Sequence, residues 1–357
     1  MDKQLLRESI KRELRQRILS GELQPGARIP SELELVRQLG VGRSQTRAAL
    51  VDLEEEGLII RRQGSGSFVA PDVGKDQPNP GLRYDTVKVV IPEYRSQYVR
   101  DLIEAFMSEM FAAGMKVTAF HSHFDAAEET AYLSLADRMG VAGLVVWPVH
   151  NTEPARRAIS RLFRHRFPVV LIDRDLPGCD VDVVRSDHRA IGDALATELL
   201  TRGHRRIAIG VSATDTASSI RERVQGAMDA VQRAGDGAVA VETLPLSEAG
   251  TDHADQIARV MARRERPTAF LCINDDMAAW VEHELDLLGW RGSGEIELAC
   301  VRDGSPEFRG LFPTVAVQQD GRAVGLACAQ MLAARIADPG RPPSERLIPC
   351  SPAALLA

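Results

Sequence analysis

The feature that constrains the fold most is the segment between residues 28 and 68, where signals for two helices and a hairpin follow one another closely. Ser31-Glu-Leu-Glu34 is a capping box, in which a hydroxyl and a carboxylate satisfy free amides of a first helical turn. Gly40-Val-Gly42 predicts a turn, and a second helix is expected from about Arg43 to Glu56. A strand pair with its tip at Gly64-Ser-Gly66 follows. A helix-turn-helix followed by a two-stranded wing is an arrangement that reads duplex DNA.

The first turn of the second predicted helix and the hairpin tip carry the side chains expected to meet DNA. In a helix-turn-helix this turn enters the major groove, where Arg pairs with guanine, Gln pairs with adenine and Ser holds a phosphate. The glycines of the tip let the backbone approach a phosphate. A single surface Arg is usually only solvated, and a Gly-x-Gly turn is a common hairpin tip, so the prediction rests on the order of the elements. The predicted contacts are Arg43, Ser44, Gln45, Arg47, Arg62, Gly64, Ser65 and Gly66.

Apolar residues at helical spacing predict how this region packs. An amphipathic helix before the capping box is indicated by Leu6, Ile10, Leu14 and Ile18. The residues expected to face inward from the helix pair are Leu33, Val36 and Leu39 on the first helix and Ala49, Leu50 and Leu53 on the second.

The segment resembles the GntR type of winged-helix repressor over about residues 5–70. The matching stretches are Gly26-x-Arg28-Ile-Pro30-Ser31-Glu32, Leu39-Gly-Val-x-Arg43, Arg47-x-Ala-Leu50, Glu56-Gly-Leu-Ile and Gly64-x-Gly66-x-Phe68. The resemblance implies further operator contacts at Arg28 and Glu32, with the neighbouring Ser31. Two positions depart from the family: Gly42 stands where a helix-capping Ser or Thr is usual, and Thr46 replaces a common apolar residue. We expect operator preference to differ from that of near relatives at these two positions.

The length of 357 residues and the distribution of charge indicate more than one domain. The formal net charge is -6, but residues 1–71 carry +2 and the remainder carries -8. A nucleic-acid surface therefore belongs at the N-terminus. Residues 72–85 are polar, aperiodic and rich in Pro and Gly, as linkers are. We predict a DNA-binding domain at 1–71, a linker at 72–85 and an effector-binding and dimerisation domain at 86–357.

Cysteine usage and the absence of common motifs bound the function. The five cysteines are widely spaced and form no CxxC pair, which favours a reducing compartment without structural zinc. No GxSxG, P-loop or HExxH motif is present, and no segment approaches the roughly 18 apolar residues of a membrane span. We expect a cytoplasmic protein that is not an enzyme and uses no cofactor, metal or membrane. His121-Ser-His123 has no third ligand nearby in sequence and is interpreted as surface histidines.

From Thr86 onward, buried strands alternate with helical stretches, which predicts an α/β fold with parallel sheets covered on both faces. The rhythm restarts after residue 190, so we expect two lobes. The predicted strands are Val87–Ile91, Val117–Phe120, Gly143–Trp147, Val169–Ile172, Arg206–Ile209, Ala269–Ile273 and Ile296–Val301. Ligands of open α/β sheets bind at the carboxyl ends of the strands.

Polar and aromatic side chains follow most of these strands. Carboxylates, amides and guanidinium groups satisfy vicinal hydroxyls, and an aromatic ring stacks on the apolar face of a sugar. Any one Asp or Asn after a strand could equally cap a helix, so the prediction rests on the whole set. The residues are Tyr98, Trp147, Asp173, Arg174, Asn274 and Asp303, with Arg223 expected to open a helix in the second lobe.

This second region resembles the effector domain of LacI-type repressors, itself similar to periplasmic sugar-binding proteins, over about residues 86–350. The matching stretches are Pro168-Val-Val-Leu-Ile-Asp-Arg174, Gly203-His-Arg-Arg-Ile-Ala208, Arg221-Glu-Arg-Val-Gln-Gly226, Asn274-Asp-Asp-Met-Ala278 and Thr314…Gln319-Asp…Gly325. The resemblance implies effector contacts at Tyr98, Asp173, Arg223, Asn274, Asp303 and Gln319. Two stretches depart from the family pattern: Val301-Arg-Asp-Gly304, and Ser186-Asp-His188 in place of a common Asp-Asn pair.

Together these features predict a homodimeric transcription regulator, usually a repressor, that reads a palindromic double-stranded operator under control of a small molecule. A sugar is the favoured effector; a purine or nucleoside, or a large domain that only dimerises, remains an alternative. A solute-binding receptor would be expected to carry a signal peptide. An aminotransferase fusion needs a Schiff-base lysine, and no lysine follows Lys116.

Overall fold

The computed structural model describes most of the chain. The described residues are 22–39, 41–55, 58–62, 66–70, 85–212, 217–235, 239–246, 252–290, 293–304 and 315–350, with seven helical residues between 7 and 18. The chain divides into two compact units, Met1–Arg83 and Tyr84–Ala357. The predicted linker lies outside the described residues except for Asp85, so its extent stays a prediction.

The N-terminal unit is a helical core closed by a hairpin. Helix α1 includes the helical positions between 7 and 18, and it is followed by α2 (Glu32–Leu39), α3 (Arg43–Glu55), β1 (Ile59–Arg62) and β2 (Gly66–Val69). The two strands are antiparallel. The core includes Ile10, Leu14, Ile18, Leu35, Ala49, Leu50 and Leu53, as the apolar spacing predicts for all but Leu35. The predicted capping box is confirmed: the Ser31 amide donates to Glu34 at 2.7 Å, and the Glu34 amide donates to the Ser31 hydroxyl at 3.3 Å.

One expectation for this unit is wrong. Leu33 does not face inward: it is 48% exposed, whereas Leu35 is 1% exposed and takes the core position. Thr46 is fully buried, and its hydroxyl donates to the Gly42 carbonyl at 3.1 Å; a different operator preference at this position stays a prediction. The Leu39 side chain lies outside the described part of the chain, and Val36 is half-buried.

The large unit contains two parallel sheets, which confirms the predicted α/β fold. The first lobe has strand order β13-β7-β6-β5-β3-β4, and the second has β12-β11-β10-β8-β9. The strands are β3 (Thr86–Ile91), β4 (Lys116–His121), β5 (Gly143–Val146), β6 (Val169–Ile172), β7 (Asp182–Ser186), β8 (Arg206–Ser212), β9 (Ala240–Leu246), β10 (Ala269–Cys272), β11 (Glu297–Arg302), β12 (Val315–Gln318) and β13 (Glu345–Ile348). The sequence prediction missed β7, β9, β12 and β13, which are short or carry polar residues.

Helices cover the faces of these sheets. In chain order they are α4 (Gln97–Ala112), α5 (Ala126–Leu135), α6 (Glu153–Arg164), α7 (His188–Thr201), α8 (Ser218–Ala234), α9 (Asp252–Met261), α10 (Asp275–Leu287) and α11 (Gly321–Ala337). The chain crosses from the first lobe to the second between β7 and α7, and it returns between β12 and α11. No helix in the described ranges is long and apolar enough to span a bilayer.

The helix that follows each crossing lies unusually close to a neighbour. A Cβ atom added at Gly192 of α7 would lie 1.8 Å from the Arg223 carbonyl oxygen of α8, and one at Gly321 of α11 would lie 2.2 Å from the Tyr98 carbonyl oxygen of α4. Only glycine allows backbones to approach this closely. Arg223 and Tyr98, both predicted effector residues, are therefore held against the helices that leave the crossings.

Candidate DNA-binding face and effector site

The first turn of α3 presents its polar side chains to solvent. Arg43, Ser44 and Arg47 are exposed, as recognition-helix residues must be before DNA arrives. Arg43 and Arg47 line one open surface depression together with Ser31, Glu32, Arg61, Arg62 and Gly66. The N-terminal unit thus brings the predicted residues of the helix pair and of the wing to one face.

Glu32 and Gln45 already have intramolecular neighbours. The Glu32 carboxylate accepts from Arg61 at 3.1 Å, which joins α2 to the wing. The Gln45 carboxamide oxygen folds back over Gly42, only 2.3 Å from where a Cβ atom would stand. Glycine at this position therefore makes room for the Gln45 side chain beside the start of the recognition helix.

The wing is braced by arginines. The Arg62 guanidinium lies 5.2 Å from the centre of the Phe68 ring, a cation–π contact. Gly66 has φ +103°, and a Cβ atom there would meet the Arg28 Nε at 3.2 Å. Arg28, a predicted operator contact, therefore packs against Gly66, where the second strand of the wing begins. The tip residues Gly64 and Ser65 lie outside the described residues.

In the large unit, Asp173 is the centre of a buried polar cluster. It follows β6, adopts φ +64° and is 4% exposed. His188 Nε2 lies 3.2 Å from its carboxylate and 3.1 Å from its carbonyl oxygen. Burial raises the pKa of the Asp173 carboxyl, but the nearby His188, Arg223 and Arg174 outweigh burial and hold the pKa below its ordinary value. Asp173 is therefore a buried carboxylate, as an acceptor of ligand hydroxyls should be.

Gln319 joins this carboxylate to the second lobe. Its amide nitrogen donates to the Ser186 hydroxyl at 3.0 Å and lies 3.5 Å from the Asp173 carboxylate. Its amide oxygen accepts from Arg223 at 3.0 Å, and Arg223 also donates to the Ile273 carbonyl at 2.5 Å. Ser186 lies at the crossing after β7 and Gln319 at the crossing after β12, so the cluster spans two connections between the lobes.

Several polar atoms around the cluster are buried without a protein partner. Within the described part of the chain, no hydrogen bond reaches Trp147 Nε1, Arg223 Nε or His188 Nδ1. Buried polar atoms without partners cost free energy, so their presence between the lobes indicates a ligand or ordered water. The Tyr98 ring meets the Trp147 ring edge-on, with centroids 5.7 Å apart, and supplies an aromatic wall.

Three predicted effector residues are placed differently from the expectation. Asn274 caps α10 by accepting the Met277 amide at 2.9 Å, which is the alternative role weighed for it. Arg174 donates to the Val149 carbonyl at 2.7 Å. Arg223 does not open a helix: α8 begins at Ser218, and Arg223 lies in its second turn. Asp303 follows β11 and is half-buried.

The sequence prediction missed three residues of this site. Ser186 and His188 were noted only as a departure from a family pattern, although both are fully buried in the cluster. Asp275 was named only as part of the matching stretch Asn274–Ala278, yet its carboxylate accepts the amides of Asp303 and Gly304, each at 3.0 Å. Elsewhere, the rings of His121 and His123 lie 3.9 Å apart, but no cluster of three or more candidate metal ligands occurs among the described residues.

Each of the two units matches a known protein family. Residues 6–69 match the model of bacterial regulatory proteins of the gntR family. Residues 84–353 match that of periplasmic binding proteins and the sugar-binding domain of the LacI family. The chain belongs to the transcriptional regulators that join a GntR-type DNA-binding domain to a LacI-type effector domain.

Similar proteins include regulators whose names or structures involve a sugar. An arabinose metabolism transcriptional repressor of Geobacillus stearothermophilus is 30% identical over 279 residues, 75% of this chain and 74% of that protein. The fold of the large unit is shared with a putative ribose operon repressor of Burkholderia thailandensis (TM-score 0.63, 23% identity, 75% of this chain and 98% of that one). A LacI family regulator of Enterococcus faecium with bound ribose is similar (TM-score 0.62, 19% identity, 76% of this chain and 100% of that one).

Proposed function

We propose that this regulator is a homodimeric repressor. Its affinity for the operator changes when a sugar binds the cluster of Asp173, His188, Arg223 and Gln319. The observation that carries the proposal is the position of this cluster beside two crossings between the lobes. A ligand that exchanges hydrogen bonds with the cluster therefore acts on segments that connect the lobes. A shift in lobe geometry then reaches the DNA-binding unit.

The chemistry of the cluster favours a ligand rich in hydroxyls. The Asp173 carboxylate is an acceptor, Arg223 Nε and Trp147 Nε1 are donors, and the Trp147 and Tyr98 rings supply flat apolar surface. Vicinal hydroxyls both donate and accept, and the C–H face of a pyranose or furanose packs on aromatic rings. Arabinose is the first sugar to test, because the relative from Geobacillus stearothermophilus is named for arabinose metabolism.

Calorimetric titration of the full chain with L-arabinose, D-ribose, cellobiose and a nucleoside tests the effector proposal. We expect binding of at least one sugar and loss of that binding in Asp173→Asn, which keeps the size of the side chain and removes its charge. Arg28→Ala, a substitution in the other unit, is the control and should leave sugar binding unchanged. Binding of the nucleoside alone would overturn the sugar assignment. No binding of any compound, together with an intact dimer, would leave dimerisation as the role of the large unit.

A gel-shift or anisotropy assay with a duplex selected from a random pool tests the DNA proposal. The proposed contacts Arg43, Ser44 and Arg47 should each be needed for full affinity, and the selected site should be palindromic if the protein acts as a homodimer.

A further inference from the structure

The N-terminus of α4 is capped by the opposite lobe. The Tyr98 amide donates to the Asp303 carbonyl at 2.9 Å, and the Gln97 amide donates to the Gly304 carbonyl at 3.3 Å. The Ser96 hydroxyl accepts the amide of Val99. The first amides of a helix normally find side chains or water, but here two of them are satisfied by main-chain carbonyls that follow β11 in the second lobe.

The Asp275 side chain fixes the Asp303–Gly304 turn that caps α4. One oxygen of its buried carboxylate accepts both the Asp303 and the Gly304 amide, and the other lies 3.5 Å from Arg302 Nε. The two peptides of the turn are therefore fixed from both sides, by Asp275 through their amides and by α4 through their carbonyls.

Gly304 is the residue on which this contact depends. Its φ is +72°, and a Cβ atom built on it would lie 2.7 Å from the Gln97 Cβ. Any other residue would have to strain its backbone and push α4 away. Gly294, in the same lobe, has a similar φ of +74° and open space around the added Cβ. Gly294 therefore separates backbone strain from the contact between the lobes.

We propose that Asp275 and Gly304 are positioning residues that latch the two lobes together, by presenting the Asp303–Gly304 turn as a cap for α4. The latch sets the distance between Tyr98 on one lobe and Asp303 on the other, the pair expected to hold opposite sides of the effector. The two cross-lobe hydrogen bonds hold this distance before a ligand binds, so the site is preorganised. The inference rests on the proposed function, since it assumes that the effector binds between the lobes.

Hydrogen exchange followed by mass spectrometry tests the latch without any ligand. In wild-type protein the amides of Gln97 and Tyr98 should be protected, and Gly304→Ala should speed their exchange by about tenfold or more. Gly294→Ala should leave it unchanged. Adding Gln97→Gly to Gly304→Ala removes the side chain that the new Cβ strikes and should restore much of the protection. A purely local folding defect in Gly304→Ala would not be rescued in this way.

Calorimetry with whichever sugar binds the wild type extends the test to affinity. Gly304→Ala and Asp275→Asn should each weaken sugar binding by about tenfold, whereas Gly294→Ala should not. DNA affinity without sugar should be the same in Gly294→Ala as in the wild type, which checks that this control is correctly folded. Equal exchange and equal sugar affinity for Gly304→Ala and Gly294→Ala would overturn the latch even if the wild type binds sugar. If no sugar binds the wild type, the proposed function fails, and the exchange data still decide whether the latch exists.

Discussion

The arginines of the two candidate sites differ in their exposure to solvent. Arg43 and Arg47 of the DNA-binding face are exposed to water, whereas Arg223 of the effector cluster is 7% exposed and already donates to Ile273 and Gln319. Exposed cations bind a polyanion mainly by releasing its counterions. Buried groups bind through fixed geometry and are screened little by salt. Operator binding and effector binding should therefore differ in their response to solution conditions, above all to salt concentration.

The largest expected difference between the sites is in their response to salt. Raising the salt from about 50 mM to about 200 mM should weaken operator binding by about a thousandfold, because each phosphate contact releases counterions. Sugar affinity should change less than about twofold over the same range, since the cluster around Asp173 is buried. Anisotropy and calorimetry measure the two affinities. Equal salt slopes would contradict the contrast between exposed and buried charge.

A second difference is in the response of carboxyl groups to pH. Burial raises the pKa of Glu129 to about 7, although the Val149 amide and Arg174 partly oppose it. This pKa lies above the ordinary value of 4.5, so the group stabilises the fold most at low pH, and the contribution is lost as the pH rises through about 7. The exposed Glu34 behaves in the opposite sense, because its capping contacts with Ser31 lower its pKa.

Glu129→Gln should therefore stabilise the large unit in a pH-dependent way. Near pH 8 its free energy of unfolding should exceed that of the wild type by up to about 3 kcal/mol, because Gln does not ionise. Near pH 5 the two proteins should be nearly equal. Urea unfolding at both pH values measures the effect, and Glu128→Gln, an exposed neighbour on α5, is the control. The same increment at both pH values would contradict a raised pKa of Glu129 in the folded protein.

A smaller effect is expected from single arginines of α3. Arg43→Ala and Arg47→Ala should each cost about 1–3 kcal/mol of specific operator binding, the range for a side chain that reads a base. Sugar affinity should stay at the wild-type value. If both variants bind the selected duplex as the wild type does, α3 is not the recognition helix.

The smallest effect concerns Thr46, which separates the DNA-facing side of α3 from its buried side. Thr46→Val keeps the shape and removes the hydroxyl that donates to Gly42, so stability should fall by about 1 kcal/mol. The base preference of the selected duplex should not change, because the side chain is fully buried. A changed preference would mean that α3 shifts when the hydroxyl is lost.

Patterns of neighbouring residues predicted much of this structure. Contacts between residues far apart in the sequence were not predicted. The capping box at Ser31 and the parallel strands around Val169–Ile172 follow from residues adjacent in sequence. Leu33 and Leu35 both fit an apolar spacing on a helix of eight residues, so packing against α1 and α3 decides which is buried. His188 and Asp275 find their partners across 15 and 28 residues, and no local pattern announces such contacts.

The pairing of an exposed DNA-binding face with a buried effector cluster implies a switch, and one titration tests it most directly. Operator affinity should be measured by anisotropy without and with a saturating concentration of the sugar that binds, in wild-type protein and in Asp173→Asn. The account predicts a change of about 5-fold to 150-fold in wild-type operator affinity and none in the variant. Unchanged operator affinity in a wild-type protein saturated with sugar would contradict it.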